Sequence, residues 1–249
     1  MRKQFVKTEN YSRFTAGIEA VEQRGAAEAG MMLVHGPAGL GKSHIVGHWA
    51  AEVGAIFLRA NVDWTPKYFL VELAKVLNVD PSGGAQQLFA RLLERVVEAQ
   101  LPIVIDEAEF TLHNGAAALE KIRDFSDRAE VTVVLIGMER IQQLVAKRKQ
   151  INSRIAQVVK FEHVTPNDVA NACDQLSEVA MTPALKAEVH HLSGGRMREV
   201  LNVVATIERL AKTNGLAEID IADLHGVELS HDWQTHTPKK VRTATAGGR

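Results

Sequence analysis

The residues best equipped for chemistry are GPAGLGKS at 36–43, spaced G-x-x-x-x-G-K-S. Gly36, Gly39 and Gly41, interleaved with Pro37, Ala38 and Leu40, let successive backbone N–H groups curl around a triphosphate. Lys42 reaches the terminal phosphates and Ser43 ligates magnesium in such a loop. His44 opens the helix behind it, whose partly positive N-terminus faces the same anion, and it is counted with the nucleotide contacts. A second chemical signature is LPIVIDE at 101–107, an apolar run that closes on two carboxylates. With a phosphate loop upstream, Asp106 is expected to hold the magnesium through water, and Glu107 to polarise the attacking water. Glu109 is read as surface without a role. The expected ligands are a nucleoside triphosphate and Mg2+.

These groups need elements to hold them. Residues 31–34, Met-Met-Leu-Val, read as a buried parallel strand feeding the loop, and Ile45, Val46 and Trp49 continue as a helix. AIFLRANV at 55–62 is a second strand with Ile56 and Leu58 on one side. Thr65-Pro66 starts a helix that carries Phe69, Leu70, Leu73, Val76 and Leu77 on one face. A loop at 80–84 precedes a helix with Leu88, Leu92, Leu93, Val96 and Val97 at core spacing. A helix at 116–128, a fourth strand at 131–136 and a fifth at 158–161 follow. The alternation of strands and helices predicts an α/β fold with a parallel sheet.

Beyond residue 163 the pattern is read as helix only, which marks a domain boundary: an α/β domain at 1–163, a helical lid at 164–229 and a disordered basic tail at 230–249. Thr165-Pro166 and Thr182-Pro183 repeat the capped helix start, and Gly194 and Gly195 separate two later helices. Arg198, with Arg196 as alternate, opens the last long helix, where an arginine can swing onto bound phosphates; a plain surface arginine is the competing reading. Near the N-terminus, Val6, Asn10 and Tyr11 are candidates for the adenine, a pattern that packing explains equally well.

Between residues 140 and 154 lie Arg140, Lys147, Arg148, Lys149 and Arg154, with no acid among them. Three readings compete: a solvated face, a DNA-facing patch, or an arginine finger that completes a neighbouring subunit's ATP site. Arg154, just before the fifth strand, has the better position for the finger. Across the 249 residues, 29 Lys and Arg balance 30 Asp and Glu, so any nucleic-acid binding must come from local patches. A hydrophobic content of 46% supports a substantial core, and the single cysteine, Cys173, reads as a buried small hydrophobe. No apolar run approaches the ~18 residues that span a bilayer, and a cytoplasmic protein with no membrane partner is expected. His44 and His48 have a metal-compatible spacing, but no third ligand accompanies them.

The order of these parts resembles an AAA+ ATPase: a strand with phosphate loop, an Asp-Glu strand, a further strand, an arginine before the fifth strand, and helices with Gly-Gly-x-x-Arg. Within that superfamily IDEAEFTLHNGAAALEKIRDFSDRAEVTVVLIGM, residues 105–138, looks like the transposition ATPases typified by MuB and TnsC. The resemblance implies a three-layer AAA+ core, ATP hydrolysis, and assembly into a ring or helical filament on double-stranded DNA without strong sequence preference. It further implies recruitment or activation of a cognate transposase, in a bacterial cell and from a phage or mobile element. DNA contacts would lie on loops facing the filament axis, with Thr65 and Lys67 as first choice and Lys147, Arg148 and Lys149 as second. A near-neutral chain fits this only if many weakly binding subunits act together. One departure stands out: where such ATPases carry a polar phosphate sensor after the fourth strand, this chain has Gly137, Met138 and Glu139, so either a backbone group or nearby Glu139 and Arg140 substitute, or sensing is weaker. Roughly thirty residues before the loop leave no room for the extra N-terminal DNA-binding domain of MuB-like proteins. A helicase loader or initiator ATPase, and a nucleotide-switched scaffold that ignores DNA, are the alternatives.

Overall fold

Five stretches rich in aliphatic and β-branched residues pair into one parallel sheet: β1 (Met31–His35), β2 (Ile56–Arg59), β3 (Ile103–Asp106), β4 (Val133–Gly137) and β5 (Ile155–Lys160). The structure, a computed structural model, describes residues 1–26, 28–224, 226–232 and 237–240. The sheet order is β2-β3-β4-β1-β5. A strand covered on both faces must be apolar at every position. The three inner strands are buried throughout and apolar except at their last residues His35 and Asp106, whereas the edge strands β2 and β5 are only partly buried. The second strand is shorter than its apolar run, and the fifth begins at Ile155, three residues earlier than expected, because β1 pairs with it from Met31↔Ile155 onward. That early start is hard to read from sequence, since an edge strand's exposed positions dilute its apolar signal.

Parallel strands need crossover connections, and helices supply them. The unit made of Arg13–Pro37 and Lys42–Phe161 holds this sheet. It includes most of α1 (Glu9–Glu22), then α2 (Lys42–Val53), α3 (Pro66–Leu77), α4 (Ala85–Ala99), α5 (Ala117–Ala129), α6 (Ile141–Ala146) and α7 (Lys149–Asn152). Thr65 caps α3 as its sequence predicts, accepting from the Tyr68 amide at 3.1 Å with Pro66 at the first helical position. Within the core cluster shared with the sheet, Phe125 meets Phe69 and Phe89 edge to face, with centroids 5.8 and 4.8 Å apart. Each such ring contributes roughly 1.5–3 kcal/mol by leaving water.

The other unit comprises Met1–Ser12, Ala38–Gly41 and the residues from Glu162 onward that the structure describes. Its helices are α8 (Pro166–Leu176), α9 (Pro183–Ser193) and α10 (Met197–Thr213), with Thr165 and Thr182 as caps. Val169, Leu185, Val189, Val204 and Ile207 form its core, and Val6 joins them. The division falls at 161/162, and the first twelve residues group with the helices. This unit is not purely helical: β6 (Ala180–Met181) pairs in parallel with β7 (Glu218–Ile219), and β8 (Glu228–Asp232) pairs antiparallel with β9 (Thr237–Lys240). Two-residue pairings are too short to leave a periodicity in sequence. Of the expected tail, residues 233–236 and 241–249 lie outside the described residues. Among the described residues no helix is long and apolar enough to cross a membrane.

Candidate functional site

The loop that follows β1 turns sharply at Gly36, whose φ is +148°. A side chain there would stand 2.6 Å from the Phe161 carbonyl oxygen, so only glycine fits against the end of β5. Lys42, buried at the start of α2, sends Nζ back to donate to the carbonyls of Gly36 and Pro37, each at 2.7 Å. Its ammonium is thereby held over the loop in which backbone N–H groups would cradle an anion. His44 is exposed on the first turn of α2, and His48 pairs with Glu52 at 3.3 Å. Among the described residues no group of three or more His, Cys, Asp and Glu could hold a metal.

Ser43 and the carboxylates at the end of β3 come together. The Ser43 hydroxyl donates to Asp106 Oδ1 at 3.0 Å, and the Glu107 amide donates to the same oxygen at 3.0 Å. Asp106 is buried. Glu107 is half-exposed and sits in the left-handed region with φ +55°, a conformation that costs a non-glycine residue on the order of 1 kcal/mol. The strained turn separates the two acids: Asp106 faces inward while Glu107 stays accessible. Ser43 and Asp106 present hard oxygen donors side by side, a set that suits magnesium.

Of two residues without a role in the sequence reading, one belongs to this cluster and the other links the turns beside it. Arg59, at the end of β2 and in register with Asp106, donates from Nε and Nη2 to Asp106 Oδ2 at 3.1 and 3.0 Å. Its Nε also lies 3.9 Å from Glu107. The strand is expected from sequence to run on to residue 62, so nothing in the sequence marks Arg59 as its last residue. Glu109 is partly buried, and its carboxylate accepts a hydrogen bond from the Met138 amide. Its reading as bare surface is therefore corrected: it ties the turn after β3 to the backbone N–H of Met138, the residue after β4. The pairing spans 29 positions and leaves no local pattern.

His35, the last residue of β1, is buried, and its Nδ1 has no hydrogen-bond partner among the described residues. Burial, then Lys160 and Lys42, holds its pKa below the ordinary value, against an opposing hydrogen bond and charge at Glu139. The imidazole is thus kept neutral beside the loop lysine.

The remaining candidates are engaged in different ways. Arg154 sits immediately before β5 and clamps Asp127, with Nε 3.0 and 3.1 Å from the two carboxylate oxygens. In the helical unit the Arg198 amide donates to the Gly39 carbonyl at 3.0 Å, and the β-carbons of Arg196 and Arg198 lie near Gly39. Asn10, 2% exposed, donates from Nδ2 to the Glu162 carbonyl and accepts from the Glu162 amide, at 2.7 and 3.0 Å. Tyr11 packs edge to face on Phe5, with Lys7 over its ring. Thr65 spends its hydroxyl on the helix cap, and Lys67 donates to the Gly83 carbonyl at 2.7 Å. Lys147, Arg148 and Lys149 are exposed and form no ion pair among the described residues; the first two line a 230 Å³ depression with Leu112 and Leu144.

The sheet order, the loop between β1 and α2, and the acid pair closing β3 match the fold of a P-loop AAA+ α/β core. Residues 24–145 match the family model described as AAA domain. No curated protein matches the sequence. Among solved structures the chain is similar to the Orc1 protein of Aeropyrum pernix in complex with DNA, with TM-score 0.62, 16% identity and 88% of this chain covered. It is also similar to Cdc6p from Pyrobaculum aerophilum, with TM-score 0.63 and 14% identity over 90% of this chain and 68% of that one. The RuvB Holliday junction branch migration motor of Thermotoga maritima aligns with TM-score 0.58 and 18% identity, over 88% of this chain and 67% of that chain. This chain spans 63% of the length of the Orc1 chain.

Proposed function

We propose that this protein is an ATP-hydrolysing AAA+ protein that assembles on double-stranded DNA and recruits or activates a transposase there. The observation that carries the ATPase reading is the 3.0 Å contact between Ser43 and Asp106, which brings a loop hydroxyl and a strand carboxylate to one point. Lys42 would trade its two loop carbonyls for phosphate oxygens, Ser43 and Asp106 would hold the magnesium, and Glu107 would orient the attacking water. Magnesium bound there supplies charge neutralisation at the phosphates. Arg198 is proposed to read the phosphates, and Arg154 to reach a neighbouring subunit's site once released from Asp127.

The transposition role rests on the likeness of residues 105–138 to MuB and TnsC-type ATPases. For the DNA contact, the exposed and unpaired Lys147–Lys149 patch is favoured over Thr65 and Lys67, whose polar groups are already spent within the chain. A second reading, an initiator or helicase loader, draws on the likeness to Orc1 solved with DNA. Mobility shifts with ATP, with ADP and without nucleotide test both. No ATP-dependent shift at low salt would reject them in favour of a scaffold that ignores DNA. Stimulation of strand transfer by a cognate transposase separates the first from the second.

A further inference from the structure

The carboxylate of Asp106 has every acceptor position taken. Oδ1 receives the Ser43 hydroxyl and the Glu107 amide, and Oδ2 receives both Nε and Nη2 of Arg59. The first pair is compatible with a metal, because Ser43 keeps oxygen lone pairs while its proton is donated. The second pair is not: a carboxylate that steadies a hydrated cation does so by accepting from the cation's water, and the guanidinium occupies that oxygen. Parallel register fixes the opposition, since Arg59 and Asp106 are direct partners on adjacent strands and leave the same face of the sheet. The Arg59 side chain is 61% exposed, so it is free to swing into solvent. Lys42 already supplies one positive charge to the loop, and a second cation over the acid pair raises the local potential further.

We infer that Arg59 competes with hydrated magnesium for Asp106, so that metal-nucleotide loading requires the arginine to leave. The inference rests on the nucleotide-binding reading above and adds a residue that sets how much magnesium the site needs. Without metal, Arg59 offsets one of the acid pair's two negative charges, which together would repel a triphosphate more strongly. With metal, it is displaced and its charge becomes available near Glu107 or outside the site.

The test is a magnesium titration of a fluorescent, non-hydrolysable ATP analogue bound to the full chain, compared for wild type, Arg59→Met and Arg59→Lys. Losing the competing guanidinium should lower the magnesium midpoint of Arg59→Met by about fivefold or more, the scale expected for one partly screened charge close to a divalent ion. Arg59→Lys, which keeps the charge but not the two-point grip, should fall between. Affinity of Arg59→Met for the analogue in chelator should drop, since the acid pair is then bare. An unchanged or higher midpoint in Arg59→Met would overturn the inference. So would hydrolysis that collapses with the midpoint unmoved, which would make Arg59 a positioning residue for Glu107. Wild type that binds no analogue at any magnesium level would overturn the nucleotide reading and this inference together, whereas equal magnesium dependence in all three proteins removes the inference alone.

Discussion

Lys42 Nζ lies 2.7 Å from the carbonyl oxygen of Gly36, six residues before it, so the loop is closed by its own lysine. That bond links two functions in one side chain: the ammonium shapes the loop and would bind the phosphates that displace it. Lys42→Ala should therefore abolish ATP-analogue binding, measured by fluorescence anisotropy, and also lower thermal stability. Two charge-assisted bonds to backbone are lost, a cost of about 1–3 kcal/mol. Lys42→Met, which keeps most of the stem, should lose binding equally; retained affinity would show that the ammonium is not the phosphate contact.

Glu107 stands apart from Asp106 because of its left-handed backbone, and the two acids should fail differently. Glu107→Gln should bind nucleotide normally, cut turnover by at least about a hundredfold and hold the assembled state on DNA, visible by electron microscopy. Asp106→Asn should instead weaken the magnesium-dependent part of binding. Equal loss of affinity in both would refute this division of labour.

Arg154 is a partner of Asp127 within its own chain before it can serve any neighbour. The pair is partly exposed, so Arg154→Ala should cost no more than about 1 kcal/mol in stability. If the side chain acts across subunits, turnover should fall in the assembled state while nucleotide binding by dilute protein stays the same. Asp127→Asn, which frees the arginine, should preserve or raise turnover. Unchanged hydrolysis in Arg154→Ala would remove it from the active assembly.

His35 ties stability to pH. Burial lowers its pKa first, and Lys160 and Lys42 add to this, while Glu139 opposes them. The folded state thus resists a proton that the unfolded chain accepts at the ordinary value of 6.5. Its contribution is intact above that value and is lost as pH falls below it. The melting temperature should decline between about pH 7 and pH 5 more steeply in wild type than in His35→Gln; parallel declines would assign the slope to other groups.

Asn10 makes two reciprocal bonds to the backbone of Glu162, and both it and its partner lie in the helical unit. Asn10→Ala should destabilise that unit by about 1–3 kcal/mol in denaturant unfolding. Asn10→Asp keeps the acceptor and loses the donor, and should be intermediate. A full-sized loss of nucleotide affinity with no change in stability would instead support Asn10 as an adenine contact.

What the sequence determined on its own is what contiguous residues can encode. The phosphate loop, the acid pair closing β3, the Thr-Pro helix starts and the buried inner strands are each set by neighbours a few positions apart, and the structure has them where their patterns put them. The tertiary structure alone decided which distant groups meet. Arg59 reaches Asp106 across 47 positions because β2 and β3 are adjacent and in register, and Glu109 reaches the Met138 amide across 29 because β3 and β4 are adjacent. Strand order and register follow from the packing of the whole sheet, and no window of sequence contains them. The loop and its acids were therefore legible as chemistry, whereas the arginine that covers them became visible only when the strands were laid side by side.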